Sequence, residues 1–359
     1  MNKNPYDFVR TDWTNKPDRK RPDWYDCFHG LSGSIECKLT IKTPLFIPHA
    51  KAALKHLFYY RTTRDYRKIY LIPGSSLKGM LRNLVETIGN GCYSRFDGFY
   101  ENKSRGKNIN LKSCLPDDFD PCKYLNALCV GCRMFGFMGK AHTVYKGKVS
   151  VSDAESQGEI TEKMFEHFKL GAMGGPSPWH TPFYLDKNGN RILGRKFYYH
   201  HANAHNAVNR ATVEKQALSS GEFSFTVTFH NLDEMDLSLL LYAIRLEEGM
   251  WHKIGYGKPQ GLGSVGIGIL RISFQDMEKR YSGKENSLQV LTGDALSGFL
   301  TKKMDTFISQ HRSPEVLADL RRIWSNQGLD EVQYAYPDQN WFRENGNVHL
   351  VDYQKGVRK

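Results

Sequence analysis

The order of periodic segments along the chain predicts an α+β fold, a ferredoxin-like or RRM-like sandwich carrying large insertions. Strict alternation of apolar and polar residues from Gly33 to Lys42, and again over 144–152, 222–230 and 264–274, marks half-buried strands. Helical spacing of apolar residues over 75–88 and 233–248 adds a helix after the first and after the later strand. Strand, helix, strands, strand, helix, strand is the order of that sandwich. The 359 residues are more than one such unit needs, which leaves room for insertions or a second domain.

Residues 1–30 are rich in proline and charge without periodicity, and read as an arm that orders only on contact. Thr43, Pro44 and Pro48 end the first strand. A basic loop follows, then the short apolar run Ile69 to Ile72 before Pro73 and Gly74. In the first helix Leu77, Met80, Leu81, Leu84, Val85 and Ile88 share a face, with a serine available to cap the first turn. Residues 91–140 hold five cysteines and many charges but little periodicity, as expected of an insertion held by a local clamp. A Gly/Pro loop over 170–182 precedes Asn188 and Gly189, a strong hairpin signal that suggests a protruding turn within a region of about 176–205. The sandwich thus spans 31–275. Residues 276–359 form a mostly helical extension that ends in an irregular aromatic stretch, 334–342.

The net charge of +12 is unevenly spread. Between Lys51 and Arg82 eight basic residues face one acid, Asp65; between Glu101 and Lys148 nine face four; the extension carries twelve of each sign. The first stretch (Lys51, Lys55, Arg61, Arg64, Arg67, Lys68, Lys78, Arg82) interleaves its cations with Phe58, Tyr59, Tyr60, Tyr66 and Tyr70. Cations grip phosphates and flat rings stack unpaired bases, so single-stranded nucleic acid is the natural partner; the bland reading is a solvated face over core aromatics. No apolar run approaches the roughly 18 residues of a membrane span, and a polar start without a secretory apolar core places the seven cysteines in a reducing cytoplasm.

Cys129 and Cys132 form a CxxC, and Cys114 and Cys122 precede them, giving four thiols within nineteen residues. Four thiolates are the donor set of a tetrahedral structural zinc. Cys92, His142 or His29 are alternative ligands, and buried free thiols the alternative reading. Gly261, Gly263 and Gly266 match a dinucleotide-binding pattern formally, but a strand and not a helix follows, so that reading fails. The stretch Lys253 to Ser264 reads instead as a basic Gly-rich loop whose amides, with Lys253 and Lys258, lie against phosphates. Ser75, Ser76 and Lys78 at a helix start offer a second anion site. Arg195 and Lys196 lead into Tyr198, Tyr199, His200 and His201, with His205 beyond: an RNA-contacting strand, or a histidine base beside a tyrosine for metal-free RNA transesterification.

Residues Ile72 to Arg82 (IPGSSLKGMLR), Cys129 to Gly136 (CVGCRMFG) and the Gly-rich loop 255–266 occur in an order that resembles the RAMP superfamily of CRISPR-associated proteins, in particular backbone subunits of type III effector complexes. Residues 176–184 with 194–200 look like a branch found in D-like systems. The resemblance implies a palm, a zinc-clamped insertion and a thumb hairpin near Asn188 and Gly189. By position it implies contacts to guide RNA (crRNA) from Ser75, Ser76, Lys78, Arg82 and the loop Lys253 to Gly263, with target RNA and other effector subunits as partners. Cleaving members use an aspartate between the first strand and helix, with a divalent metal such as magnesium. Here Asp65 is the only aspartate before the helix, displaced from the usual place, so the subunit either slices through Asp65 or only holds RNA.

Overall fold

The computed structural model describes residues 3–25, 27–49, 51–102, 107–139, 143–171, 178–202, 212–283, 287–329 and 332–356. His142, His205 and residues 172–177 of the Gly/Pro loop lie outside them.

The alternating segments become the sandwich's strands because each has one apolar edge to bury. Strand β1 (Leu31–Ile41) turns Ile35, Cys37, Leu39 and Ile41 inward. Helix α1 (Gly74–Ile88) follows, then β2, made of Val149–Val151 and Ala154–Gln157 with a break at Ser152 and Asp153. Strand β3 (Glu222–Leu232), helix α2 (Glu234–Arg245) and strand β4 (Ser264–Gln275) complete the unit. The spatial order β4-β1-β3-β2, antiparallel throughout, is the ferredoxin-like arrangement. Phe223, Phe225, Val227 and Phe229 of β3 join the β1 row beneath α1 and α2 in one apolar cluster. Fully burying Leu77, Leu81, Leu84 and Val85 contributes about 1.5–3 kcal/mol per side chain. On the other face β1 and β3 present Ser34, Glu36, Lys38, Thr40, Ser224, Thr226 and Thr228. None is aromatic, so base stacking on the sheet face, as RRM domains practise it, has no platform on these strands.

The first helix starts differently from the serine-capped expectation. Pro73 occupies the N-cap, and the Gly74 amide donates to the Asp153 carboxylate at 2.7 Å. The Ser76 and Leu77 amides turn back to the Pro73 carbonyl. Gly74 is required because a Cβ there would lie 2.4 Å from the Val151 carbonyl. The expected anion site at this helix start is therefore already filled by a carboxylate of the chain itself.

The N-terminal arm is part of the fold. Tyr6–Val9 pairs antiparallel with Arg195–Tyr198, and Tyr6, Phe8 and Val9 are buried. Four residues are too few to show a period, which is why the sequence reads as an arm. The extension closes over this pair: helix α3 (Gly293–Ser309) packs on α2, and α4 (Pro314–Trp324) on the Tyr6–Val9 strand. Its charges are neutralised by partners in the body, Arg10–Asp319, Arg322–Asp7 and Arg321–Glu247. Trp341, Phe342, Leu350 and Tyr353 complete an aromatic cluster around Tyr6, Phe8 and Phe183. Leu288–Leu291, which reads as helical from the sequence, is an edge strand on β4.

The turn at Asn188 and Gly189 forms but does not protrude. A single bridge, Leu185 to Ile192, closes it, and it lies against the insertion through Ile192 and Cys114. The long two-stranded arm is instead Phe165–Gly171 paired with Thr212–Leu218. No helix among the described residues is long and apolar enough to cross a membrane.

Candidate nucleic-acid interface

Five segments far apart in sequence meet in a cleft of about 510 Å³. The loop after β1 supplies Ile47 and Pro48, and α1 supplies Ser76, Gly79, Met80 and Asn83. Strand Arg195–Tyr198 supplies Lys196 and Tyr198, the Gly-rich loop supplies Lys253, Tyr256 and Lys258, and α4 supplies Trp324. Among the described residues, three lysines line this cleft and no carboxylate does.

Each lysine is held by neutral groups. Lys253 donates to the Gly261 carbonyl (3.2 Å) and the Ser264 hydroxyl (3.0 Å); burial lowers its pKa to about 7, with the nearby charge of Lys258 acting in the same direction. Lys258 donates to the Gly255 carbonyl at 3.1 Å, and burial lowers it too. The Lys196 ammonium stands 3.6 Å over the Tyr6 ring, with Tyr198 and Tyr184 farther out, and burial lowers it to about 8. Among the described residues no acid forms an ion pair with any of the three. Buried cations whose charge no carboxylate neutralises favour an anionic ligand, because a phosphate would restore the interaction that burial removes.

The glycines of the loop serve its geometry. Gly261 and Gly263 have φ of +92° and +84°, and a Cβ on Gly263 would fall 1.9 Å from the Ile254 carbonyl. The Gly261 amide donates to the Lys258 carbonyl, the Leu262 amide to that of Gly257 and the Gly263 amide to that of Pro44. This corrects the expectation of bare amides at Gly261 and Gly263: those donors are consumed, and the loop offers its lysines.

The other expected RNA-binding residues divide by where their side chains go. Ser76 lines the cleft, whereas exposed Ser75 and half-buried Lys78 do not. Arg82 turns toward the insertion, binding Glu86 at 2.7 Å, the Gly136 carbonyl at 3.0 Å and the Cys132 sulfur at 3.5 Å. Arg195 is a second correction: its guanidinium is buried on the Gly91 and Cys92 carbonyls (2.9 and 2.8 Å), near Glu86 and 4.0 Å over the Tyr93 ring, so it braces the structure. Lys51, Lys55, Arg61, Arg64 and Arg67 are exposed on the loop and hairpin between β1 and α1, Arg61 paired with Glu155 at 2.7 Å. Sequence reasoning missed Gly79, Asn83, Tyr256 and Trp324. Ser76, Gly79 and Asn83 fall at i, i+3 and i+7, a small and polar stripe that was there to be read; nothing in the local sequence of Trp324 announces its place.

His200 and His201 do not present a base. His200 is buried, with Nε2 2.9 Å from the Trp251 carbonyl and Nδ1 2.8 Å from the Ser264 hydroxyl. Burial, and then the charge of Lys253, hold its pKa well below the ordinary value. His201 is buried against Tyr334, and the Tyr199 hydroxyl is engaged by Asp7 and Arg322. Asp65 sits on an exposed turn, its carboxylate bound by the Thr63 hydroxyl (2.6 Å) and by Arg67; these hydrogen bonds, Thr63 first, lower its pKa. Among the described residues it belongs to no group of metal-ligand side chains.

Such a group exists elsewhere. The sulfurs of Cys92, Cys122, Cys129 and Cys132, all buried, lie within 4.8 Å of one another. Cys114 is not among them: it lies in a separate apolar cluster with its sulfur 3.7 Å from the Gly189 carbonyl. The turn after α1 returns the chain so that Cys92 takes that place, with sulfur distances of 3.8 Å to Cys122 and to Cys132. A tetrahedral ion with bonds of about 2.3 Å places its four sulfurs about 3.8 Å apart, so the cluster fits a metal ion of zinc's size and preference. His29 is exposed and lies outside the cluster.

A family model of the RAMP superfamily matches residues 38–266, which run from the end of β1 to the start of β4 and include the cleft's Gly-rich loop and the four cysteines. The crystal structure of Thermofilum pendens Csc2 is similar at a TM-score of 0.38 and 12% identity, over 83% of this chain and 87% of that chain. No curated protein matches the chain.

Proposed function

The chain belongs to the RAMP superfamily, and from that premise we propose that it is a guide-RNA-binding backbone subunit of a type III CRISPR effector ribonucleoprotein, one that positions target RNA. The observation that carries the reading is the cleft in which Lys196, Lys253 and Lys258 face one space that, among the described residues, no carboxylate lines. A single strand there places phosphates on the lysines and bases against Tyr198 and Tyr256. Cys92, Cys122, Cys129 and Cys132 hold a structural zinc, which braces the insertion that Arg82, Glu86 and Arg195 tie to α1. The role is holding. Asp65 has its carboxylate bonded within its own turn and, among the described residues, belongs to no group of three or more metal-ligand side chains. The rival, a metal-independent crRNA-processing endoribonuclease using His200 or His201, needs a base that reaches solvent, and these imidazoles are buried.

Because burial sets Lys253 near 7 and Lys196 near 8, affinity and stability respond to pH in opposite senses. Bound phosphate favours the ammonium form, so affinity for single-stranded RNA falls as pH rises from 7 to 9, by up to about tenfold where Lys196 must be charged and about fiftyfold where Lys253 must be. The unfolded chain keeps these lysines protonated up to their ordinary 10.5. It therefore binds more protons than the folded chain between about pH 7 and 10.5, and these two groups make the free protein more stable as pH rises there. Fluorescence anisotropy of labelled RNA across this range, beside thermal melts of the free chain, tests the reading; affinity that is flat from pH 7 to 9 contradicts it.

A further inference from the structure

The structure sorts the five aromatics of the basic stretch. Phe58 and Tyr70 are buried in the core, and Tyr59 and Tyr60 are half-buried around His49. Tyr66 is 89% exposed. It stands at the tip of a hairpin, Tyr60–Thr62 paired with Lys68–Ile72, on the outer edge of the sheet beside β2. Its φ of +62° is a left-handed conformation that an aromatic residue rarely adopts. Strain of this kind persists only where surrounding contacts fix it, and it concentrates at functional positions. Here the contacts are explicit: the Tyr66 amide donates to the Thr63 carbonyl (3.1 Å), the Thr63 amide to the Arg67 carbonyl (2.9 Å), and Asp65 ties Thr63 to Arg67.

A large ring carried into water on a fixed turn forgoes burial, and its neighbours indicate what it waits for. Arg64 stands two residues before it and Arg67, paired with Asp65, directly after it; Lys68, opposite Thr62, and Arg61, paired with Glu155, lie farther back along the hairpin. An exposed ring on a backbone-fixed turn among cations is the chemistry that stacks an unpaired base while its phosphates are held. The hairpin is rooted at the lip of the cleft, where the Tyr59 amide donates to the Ile47 carbonyl (2.8 Å) and Phe58 bridges Pro48. About five residues of strand, roughly 17 Å, separate that root from the tip, so one RNA strand reaches both.

We propose that Tyr66 is a stacking platform for an unpaired base of the RNA held in the cleft, an assignment that rests on the RNA-binding reading above. The turn is then the reason for Asp65, which holds Tyr66 outward and Arg67 beside it. The test uses the full-length chain and single-stranded polyadenylate carrying one 2-aminopurine. Tyr66→Ala is expected to weaken binding about tenfold and to abolish the fluorescence change on binding, and Tyr66→Phe to keep both. Loss of neither in Tyr66→Ala, with Lys253→Gln still weakening binding, overturns the platform and leaves the cleft standing. Failure of the unaltered chain to bind the RNA overturns both. Because Tyr66 is solvent-exposed, its replacement leaves the melting temperature unchanged, which separates loss of stacking from misfolding.

Discussion

Cys92→Ser is expected to cost the chain one equivalent of zinc and about 10 °C in melting temperature, whereas Cys114→Ser changes neither. The contrast follows from where the sulfurs lie. Cys92 is 3.8 Å from both Cys122 and Cys132, while Cys114 faces a backbone carbonyl in another cluster. A structural zinc contributes its binding free energy to folding, on the order of 10 kcal/mol in small zinc peptides. Among the described residues, Leu128, Phe137 and Tyr145 are the large buried side chains of the cluster around the sulfurs, separate from the second apolar cluster of the insertion around Tyr93, Leu111 and Phe119. Serine cannot replace a thiolate ligand, and three sulfurs hold zinc far more weakly than four. Metal analysis with thermal melts of both variants decides the matter. Zinc retained in Cys92→Ser and lost in Cys114→Ser would restore the ligand set that sequence spacing favours.

Replacing Lys196, Lys253 and Lys258 together by glutamine is expected to weaken RNA binding by at least about a hundredfold near 50 mM salt. Each lysine that neutralises a phosphate of a single strand releases counterions, so removing three lowers the slope of log affinity against log salt by about 2. The side chains are held by neutral acceptors and rings rather than by acids, so glutamine strands no buried carboxylate and the variant keeps its fold. Arg82→Gln and Arg195→Gln differ in kind: each removes one of the two arginines paired with the buried Glu86, and the cost appears as stability.

The sandwich was legible because burial imposes a period. Ile35, Cys37 and Leu39 alternate, Leu77, Leu81 and Leu84 recur at helical spacing, and each forms the element its spacing dictates. Asp233, just before α2, caps it through the Asp236 amide at 2.7 Å. Elements whose partners lie far away in sequence were not legible. Tyr6–Val9 becomes a strand only because Arg195–Tyr198 pairs with it, and Trp324 reaches the cleft only because α4 packs on that pair. Charge counting located the excess but not the usable part. Arg82 and Arg195 look like any other basic residues in the sequence, and only the folded chain shows that Glu86 and backbone carbonyls consume them. Spacing placed Cys114 with its neighbours, although the loop from Asn90, with φ of +48°, brings Cys92 to the cluster instead.

The most direct test of the central claim is photo-crosslinking of single-stranded RNA carrying 4-thiouridine to the full chain, followed by mass spectrometry of the attached peptides. The account predicts attachment at Tyr198 and Tyr256, on opposite contributors to the cleft, lost in the triple-lysine variant. Attachment confined to the open sheet face around Ser34, Thr40, Ser224 and Thr228 would contradict it.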